Sequence, residues 1–391
     1  MKKIAILCMI FLGCISLKSQ STKTLNWGGL ERQYLEYVPS NVLSPAPIIF
    51  LLHGLGDNMD NMFSATGFRQ IADQHGWIII TPQAENANVS IFGGSYNLGP
   101  AWHSGVSGSI WGTNIVINQE VDDSGFLMEL LDEVSHNYDI DTSMVFFTGF
   151  SMGGFMSNRM AMEHGDRITA IASVSGTIGN EIANNTPVSN ISVMHIHGTA
   201  DETVSYADAS FSLDVGTGSP LIIPVGLGAE QTVDFWRNFN QCATTPIVTN
   251  YPDLVNDGLT FQNIEYNEGI NGTKTVFIKV TNGDHDWYYT PQNDIDYATE
   301  IYNFFASFKE PTSIAENVEG SFTIYPNPTS SFLHVEGENI NQIYIYDTSG
   351  RQLICSDQKV IDVSHLAEGI YFVHGIDKIG NQVSKKFLIA R

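Results

Sequence analysis

The chain has 391 residues, enough for two or three domains and a large buried core. Its 18 Lys+Arg against 42 Asp+Glu give a formal net charge of -24, which repels phosphate backbones and anionic headgroups and argues against nucleic-acid and membrane-surface roles. Charged residues make up only 15%, so much of the surface must be Asn, Ser, Thr, Gly and Tyr.

The opening stretch, MKKIAILCMIFLGCISLKSQ, sets Lys2 and Lys3 before an apolar run from Ile4 to Leu12. That run is too short to cross a bilayer, and it predicts a signal peptide over 1–20, cleaved near Gln20. The mature chain then has no membrane span. Phe11 to Cys14, FLGC, offers a second reading, a lipoprotein box with Cys14 as its lipidated residue. Past the leader two cysteines remain, Cys242 and Cys355. They fall in different domains and are expected as small buried apolar side chains rather than a disulfide.

From Pro47 to about Phe308, apolar runs alternate with helical patterns. PIIFLLHG (Pro47 to Gly54), GWIIITP (Gly76 to Pro82), SMVFFTG (Ser143 to Gly149), ITAIASVSG (Ile168 to Gly176) and ISVMHIHG (Ile191 to Gly198) read as buried strands. DSGFLMELLDEVSHNY and MGGFMSNRMAMEHG read as helices between them. The alternation predicts an α/β fold, a doubly wound, mostly parallel sheet with chemistry at the strands' carboxyl ends. Two long stretches, Glu85 to Asn114 and Ser205 to Ala229, read as irregular loops of functional length. Residues 309–320 read as a linker. After it the pattern changes to period two, and 321–391 predict a small β-sandwich.

The sequence TGFSMGG frames Ser151 between Gly149 and Gly153, with a strand before and a helix after. This is the context of a nucleophile elbow, where a tight turn leaves no room for larger neighbours. A serine needs a base, and in folds with this elbow the order is nucleophile, acid, histidine. His285, in TNGDHDW, is the only histidine between His197 and the linker. Asp201, in HGTADETV after a strand, is the acid in the expected place. Glu202, Asp284 and Asp286 remain as alternative carboxylates. The N–H of Met152 and that of Leu55, in LLHGLGDN, are the candidate oxyanion donors. Trp102, His103, Trp287 and Tyr288 are candidates for an acyl-group wall, or for packing under a long loop. His195 and His197 form an HxH pair that could suggest a metal, but no third ligand is evident. A buried strand accounts for the pair, and neither metal nor cofactor is expected. Met156, Met160 and Met162 read as core.

With these residues in place, 21–308 resembles the polyhydroxybutyrate depolymerase and feruloyl esterase group of α/β-hydrolases. HGLGDN, EVDDSGFLMELLDEV, YDIDTSMVFFTGFSMGG, HGTADETVSY, VDFWRNFNQCATTP and GDHDWY carry the resemblance, in order. It implies Ser151, Asp201 and His285 as triad and an ester as substrate. The base loop departs from the group's Gly-Gly-His-x-Trp-Pro, and the acyl group stays open among hydroxyalkanoate, ferulate, acetate and aromatic polyester. FTIYPNPT, IYDTSGRQL, LAEGIYFV and SKKFLIAR make 321–391 similar to a type A sorting domain of type IX secretion. That implies the secretion machinery as partner and a released or surface-attached enzyme. A serine peptidase, or a non-catalytic polymer-binding protein, is the alternative expectation.

Overall fold

A computed structural model describes residues 19–91, 94–110, 112–213, 221–309, 322–337, 340–347, 352–377 and 382–391. The chain divides into two units, Met1–Lys309 and Glu310–Arg391. The expected leader, with Cys14, lies outside the described residues except for Ser19 and Gln20, and so does the expected linker except for Lys309.

In the first unit a ten-stranded sheet is built from β1 (Ser19–Trp27), β2 (Leu30–Val38), β3 (Ala46–Leu52), β4 (Ile78–Pro82), β5 (Ile140–Phe150), β6 (Ala170–Val174), β7 (Ser192–Gly198), β8 (Ile247–Asn250), β9 (Thr260–Tyr266) and β10 (Thr275–Thr281), in the order β1-β2-β4-β3-β5-β6-β7-β10-β9-β8. The strands from β4 through β10 in this order are parallel. Antiparallel pairs finish both edges. Ser19 and Gln20, which the sequence places in a leader, open β1 and pair with Val38 and Tyr37. Gly28 and Gly29, at φ 58° and 80°, make the two-residue turn into β2.

Among the described residues six helices cover the sheet: α1 (Met59–Ala65), α2 (Phe68–His75), α3 (Asp123–Asn137), α4 (Met152–His164), α5 (Ala229–Phe239) and α6 (Tyr297–Ala306). The β3 run APIIFLL explains why both faces are covered. Ile48, Phe50 and Leu52 join a core with Phe126 of α3, Met156 of α4 and Trp236 of α5. Ile49 and Leu51 join a second core with Phe63 of α1, Phe68 of α2 and Phe305 of α6. A strand buried on both sides has no reason to alternate polar and apolar residues. Met156, Met160 and Met162 are core, as the sequence suggests.

Among their described residues, the two long stretches carry strand pairs. Asn86–Ile91 pairs with Gly94–Pro100, and Ser107–Ile110 pairs with Thr113–Val116. Ser210–Leu213 pairs with Leu221–Pro224. Each is an antiparallel pair of short strands consecutive in the chain, called a hairpin below. Cys242 is buried, but Cys355, expected to be buried, is exposed.

In the second unit a three-stranded antiparallel sheet (Thr323–Tyr325, Phe332–Glu336, Val360–Asp362) and a four-stranded one (Ile340–Tyr346, Gln352–Ser356, Gly369–Asp377, Gln382–Ile389) share one core, with Leu333, Val335 and Ile361 from the first and Ile345, Val373 and Phe387 from the second. This is a β-sandwich. The Tyr-Pro-Asn-Pro motif has a structural task in it. Asn327 Nδ2 donates to Lys386 O at 3.2 Å, and Asn327 Oδ1 accepts from Leu388 N–H at 2.8 Å, so the motif clasps the last strand.

Candidate active site

The chain leaves β5 and enters α4 through Ser151, which adopts φ 54°, ψ -120°. A non-glycine residue at such angles is strained and persists only where its surroundings hold it. Here the Ser151 N–H donates to Val174 O at 2.8 Å, and Ser151 O accepts from Gly154 and Phe155 N–H at 2.8 and 3.1 Å. A Cβ on Gly149 would sit 2.4 Å from the Gly153 carbonyl carbon, and one on Gly153 would sit 2.0 Å from Leu52 O. Backbone lies in the way at both positions, so the glycines of the elbow are required by close approach.

Asp201 follows β7, and His285 follows β10, the next strand in the sheet. The two loops are stitched together by Thr199 N–H to Val280 O (2.8 Å), Ala200 N–H to Gly283 O (2.9 Å) and Asn282 N–H to Thr199 Oγ1 (2.9 Å). Asp201 Oδ2 accepts from His285 Nδ1 at 2.7 Å. Its Oδ1 accepts backbone N–H bonds from Thr203 and Val204 at 2.9 and 2.8 Å. Glu202, beside Asp201, and Asp284 and Asp286, which flank the histidine, are exposed.

Behind the acid lies the HxH pair, and its bonds run inward. His197 Nε2 is 3.3 Å from Asp201 Oδ2 and 2.9 Å from Val204 O. His197 Nδ1 is 3.2 Å from His195 Nε2, and His195 Nδ1 is 2.8 Å from Ser173 Oγ. A buried polar chain therefore runs from Ser173 through both histidines to Asp201 and out to His285. Burial alone would raise the Asp201 pKa. The hydrogen bonds from His197 and His285, with their charge, outweigh it and hold the carboxyl well below the usual carboxylate range. Burial, and then the neighbouring His197, push His195 well below the ordinary imidazole value.

Met152, the first residue of α4, has an N–H with no intrahelical partner. Leu55 lies in the turn after β3, and its N–H has no acceptor among the described residues. That turn is braced from below. The His53 ring accepts at Nε2 from Ala84 N–H (3.1 Å), which sets Nδ1 as donor to Gly54 O at 2.8 Å. Trp102 Nε1 donates to His53 O at 2.9 Å.

Ser151, Met152, Leu55 and His285 line one cavity of about 860 Å³. The four residues offered as its wall do not line it. Trp102 is fully buried beneath the Leu55 turn. His103 is tied into a polar network, its N–H donating to Asp123 at 2.6 Å and its ring 3.0 Å from Glu181. Trp287 and Tyr288 turn into the core under α2 and α6, where Trp287 meets Phe68 and Tyr297 edge-on and Tyr288 Oη accepts from Asp284 N–H at 2.8 Å. They anchor the His285 loop. Aliphatic residues in the hairpins or beside their ends, which sequence reading passed over, form most of the wall instead, Val89, Val106, Ile110, Ile117, Ile223 and Val225, together with Phe150 and Phe155.

Residues 35–214 match the family described as Phospholipase/Carboxylesterase, and residues 323–390 match the Secretion system C-terminal sorting domain. The first unit has an α/β-hydrolase type of fold, and its matched residues are similar to that family. Among curated relatives, feruloyl esterase D of Neurospora crassa is 28% identical over 197 residues, 49% of this chain and 61% of that protein. Acetylxylan esterase of Coprinopsis cinerea is 32% identical over 152 residues, 39% and 36% of the two chains. Poly(3-hydroxyalkanoate) depolymerase C of Paucimonas lemoignei is 25% identical over 144 residues, 37% and 31%. The chain thus spans less than two thirds of each relative's length.

Proposed function

We propose that the chain is an exported serine esterase that hydrolyses carboxylic esters through an acyl-enzyme. One observation carries the reading: Asp201 is bonded to His285 at 2.7 Å, and that histidine opens onto the same cavity as the strained Ser151. In this reading Ser151 Oγ attacks the ester carbonyl while His285 Nε2 takes its proton. The Leu55 and Met152 N–H groups receive the oxyanion. His285 then protonates the leaving alcohol, and water, activated by the same ring, releases the acid. Asp201 fixes the tautomer with Nδ1–H toward itself and stabilises the imidazolium. The relatives' names set the range of ester classes from which the substrate is drawn: polyhydroxyalkanoate-type polyester, and feruloyl or acetyl esters on polysaccharide. The 1–20 leader would direct export, and the 321–391 sandwich would engage type IX secretion for release or surface attachment.

Ser151→Ala in the full chain should lower kcat on a p-nitrophenyl ester by at least about 10⁴-fold, the scale expected when such a nucleophile is removed. It should also abolish fluorophosphonate labelling. A variant that kept its rate would remove the assignment.

A further inference from the structure

We propose that the cavity beside Ser151 holds an uncharged aliphatic acyl chain of about eight carbons or more. This names the acyl class for the esterase reading above and rests on it. At about 860 Å³ the cavity lies in the upper range of small-molecule sites. A two-carbon acetyl group would leave most of it unfilled, and its walls would lose contact on one side.

The composition of the wall selects the chain. Val89, Val106, Ile110, Ile117, Ile223 and Val225 are each less than a tenth exposed and face the cavity. No lysine or arginine is among the described lining residues, so nothing there would balance a carboxylate or phosphate on the acyl group. Of the polar lining residues other than Ser151 and His285, only Ser107 is buried, whereas Tyr96, Asn97 and Thr203 are exposed and Asp57 is half-buried. A feruloyl ring brings a phenol and a methoxy group. Phe150 and Phe155 would meet the ring, but its phenol and methoxy group would face mainly aliphatic surface, with Ser107 the one buried polar side chain there besides the candidate catalytic residues.

The wall is also preformed. Asn180 Nδ2 donates to Ser107 O and to Pro224 O, each at 3.0 Å, and so ties the second hairpin to the third. The close approach of Gly108 to Ile223, where a Cβ would lie 2.4 Å from Cγ2, marks how tightly those hairpins meet over the cavity.

The test uses the full chain with p-nitrophenyl acetate, butyrate and octanoate below their micellar limits, and with p-nitrophenyl ferulate. Active sites are counted by fluorophosphonate labelling. From acetate to octanoate kcat/KM should rise at least about 100-fold, within the ceiling of about fourfold per methylene that full burial allows. Ile223→Trp should cut the octanoate-to-acetate ratio at least about tenfold. Ile115→Phe, at a half-buried wall position, should lower the same ratio if the first variant does not fold. A labelled enzyme that prefers acetate or ferulate to octanoate would overturn the acyl-chain proposal and leave the esterase intact. A folded chain with neither labelling nor hydrolysis would remove the esterase reading and this proposal with it.

Discussion

Behind His285 the protein is polar, buried and closely hydrogen-bonded, whereas in front of Ser151 it is apolar and open. The rear half contains the Ser173–His195–His197–Asp201 chain and the stitched loops after β7 and β10. The front half is aliphatic surface carried by three hairpins. The contrast follows from what each half would do. Charge that develops on an imidazole needs fixed partners already in place. An acyl chain needs only dry surface of suitable shape. If this division is right, damage to the rear half should fall on kcat whatever the substrate. Damage to the front half should fall on discrimination between substrates.

The sharpest way to break the comparison is Asp201→Asn. It keeps the shape but removes the charge and the tautomer preference imposed on His285, for an expected loss of about 10⁴-fold in kcat. The loss should be equal for short and long acyl esters. A loss confined to one chain length would mean that the two halves are not separate.

His197→Gln tests the next link inward. Hydrogen bonds to charged groups are worth about 1.5–3 kcal/mol. Without the His197 contact at 3.3 Å, Asp201 keeps its two backbone N–H donors and His285. The expected cost is about 10- to 100-fold in kcat with KM little changed, measured on butyrate and octanoate. An effect on KM alone would place His197 with the acyl side.

Ser151, Asp201 and His285 were legible in the sequence as candidates, whereas the histidine chain behind Asp201 and the aliphatic cavity were not, for a physical reason. The candidate elbow, acid and base each depend on a few consecutive residues whose spacing follows from backbone geometry. Gly149 and Gly153 are fixed by the approach of Leu52 O and of the α4 backbone, and the Gly-x-x-Asp turn at 198–201 by its contact with Gly283. The cavity instead collects single aliphatic residues from Val89 to Val225. Their segments alternate too briefly, and among too many Gly and Asn residues, for a period to stand out. The wall expected from Trp102 and Trp287 is absent from the cavity. Trp102 and Trp287 are large enough to stabilise the loops from beneath, and burial took them there. Trp102 also had an N–H to satisfy, and His53 O satisfies it. The β1–β2 hairpin and the β8–β9 edge were missed because the buried-strand signature belongs to the parallel centre.

The polar chain should also show in the pH dependence of stability. His195, whose ring meets Ser173, His197 and the face of Phe277, is held neutral by burial. His53 is likewise lowered by burial. Unfolding lets both take up protons below about pH 6.5, the ordinary imidazole value. Their contribution is therefore full above that pH and is lost as pH falls toward their lower native values. Asp201, also depressed, adds a second loss that begins below the ordinary carboxylate range. In denaturant titrations at pH 8, 6 and 5, His195→Gln should flatten the first loss by up to about 1.4 kcal/mol per pH unit. The acid-side loss below pH 4 should remain. If the variant follows the wild-type slope, His195 does not titrate as a buried group.

Asn180 gives the smallest expected effect and the most specific one. Its side chain does not line the cavity, yet its two hydrogen bonds hold the Ser107 and Pro224 backbones together above it. The Asn180 N–H bond to Val225 O at 2.9 Å would survive substitution. Asn180→Ala therefore removes the clamp but keeps the backbone path, and each lost bond costs about 0.5–1.5 kcal/mol. The hairpins would gain freedom that a long acyl chain must remove on binding and a short one need not. KM for octanoate should rise about three- to tenfold while KM for acetate moves less. If both moved together, the clamp would be supporting the site as a whole, and the aliphatic wall would not be the separate device that the contrast between the two halves requires.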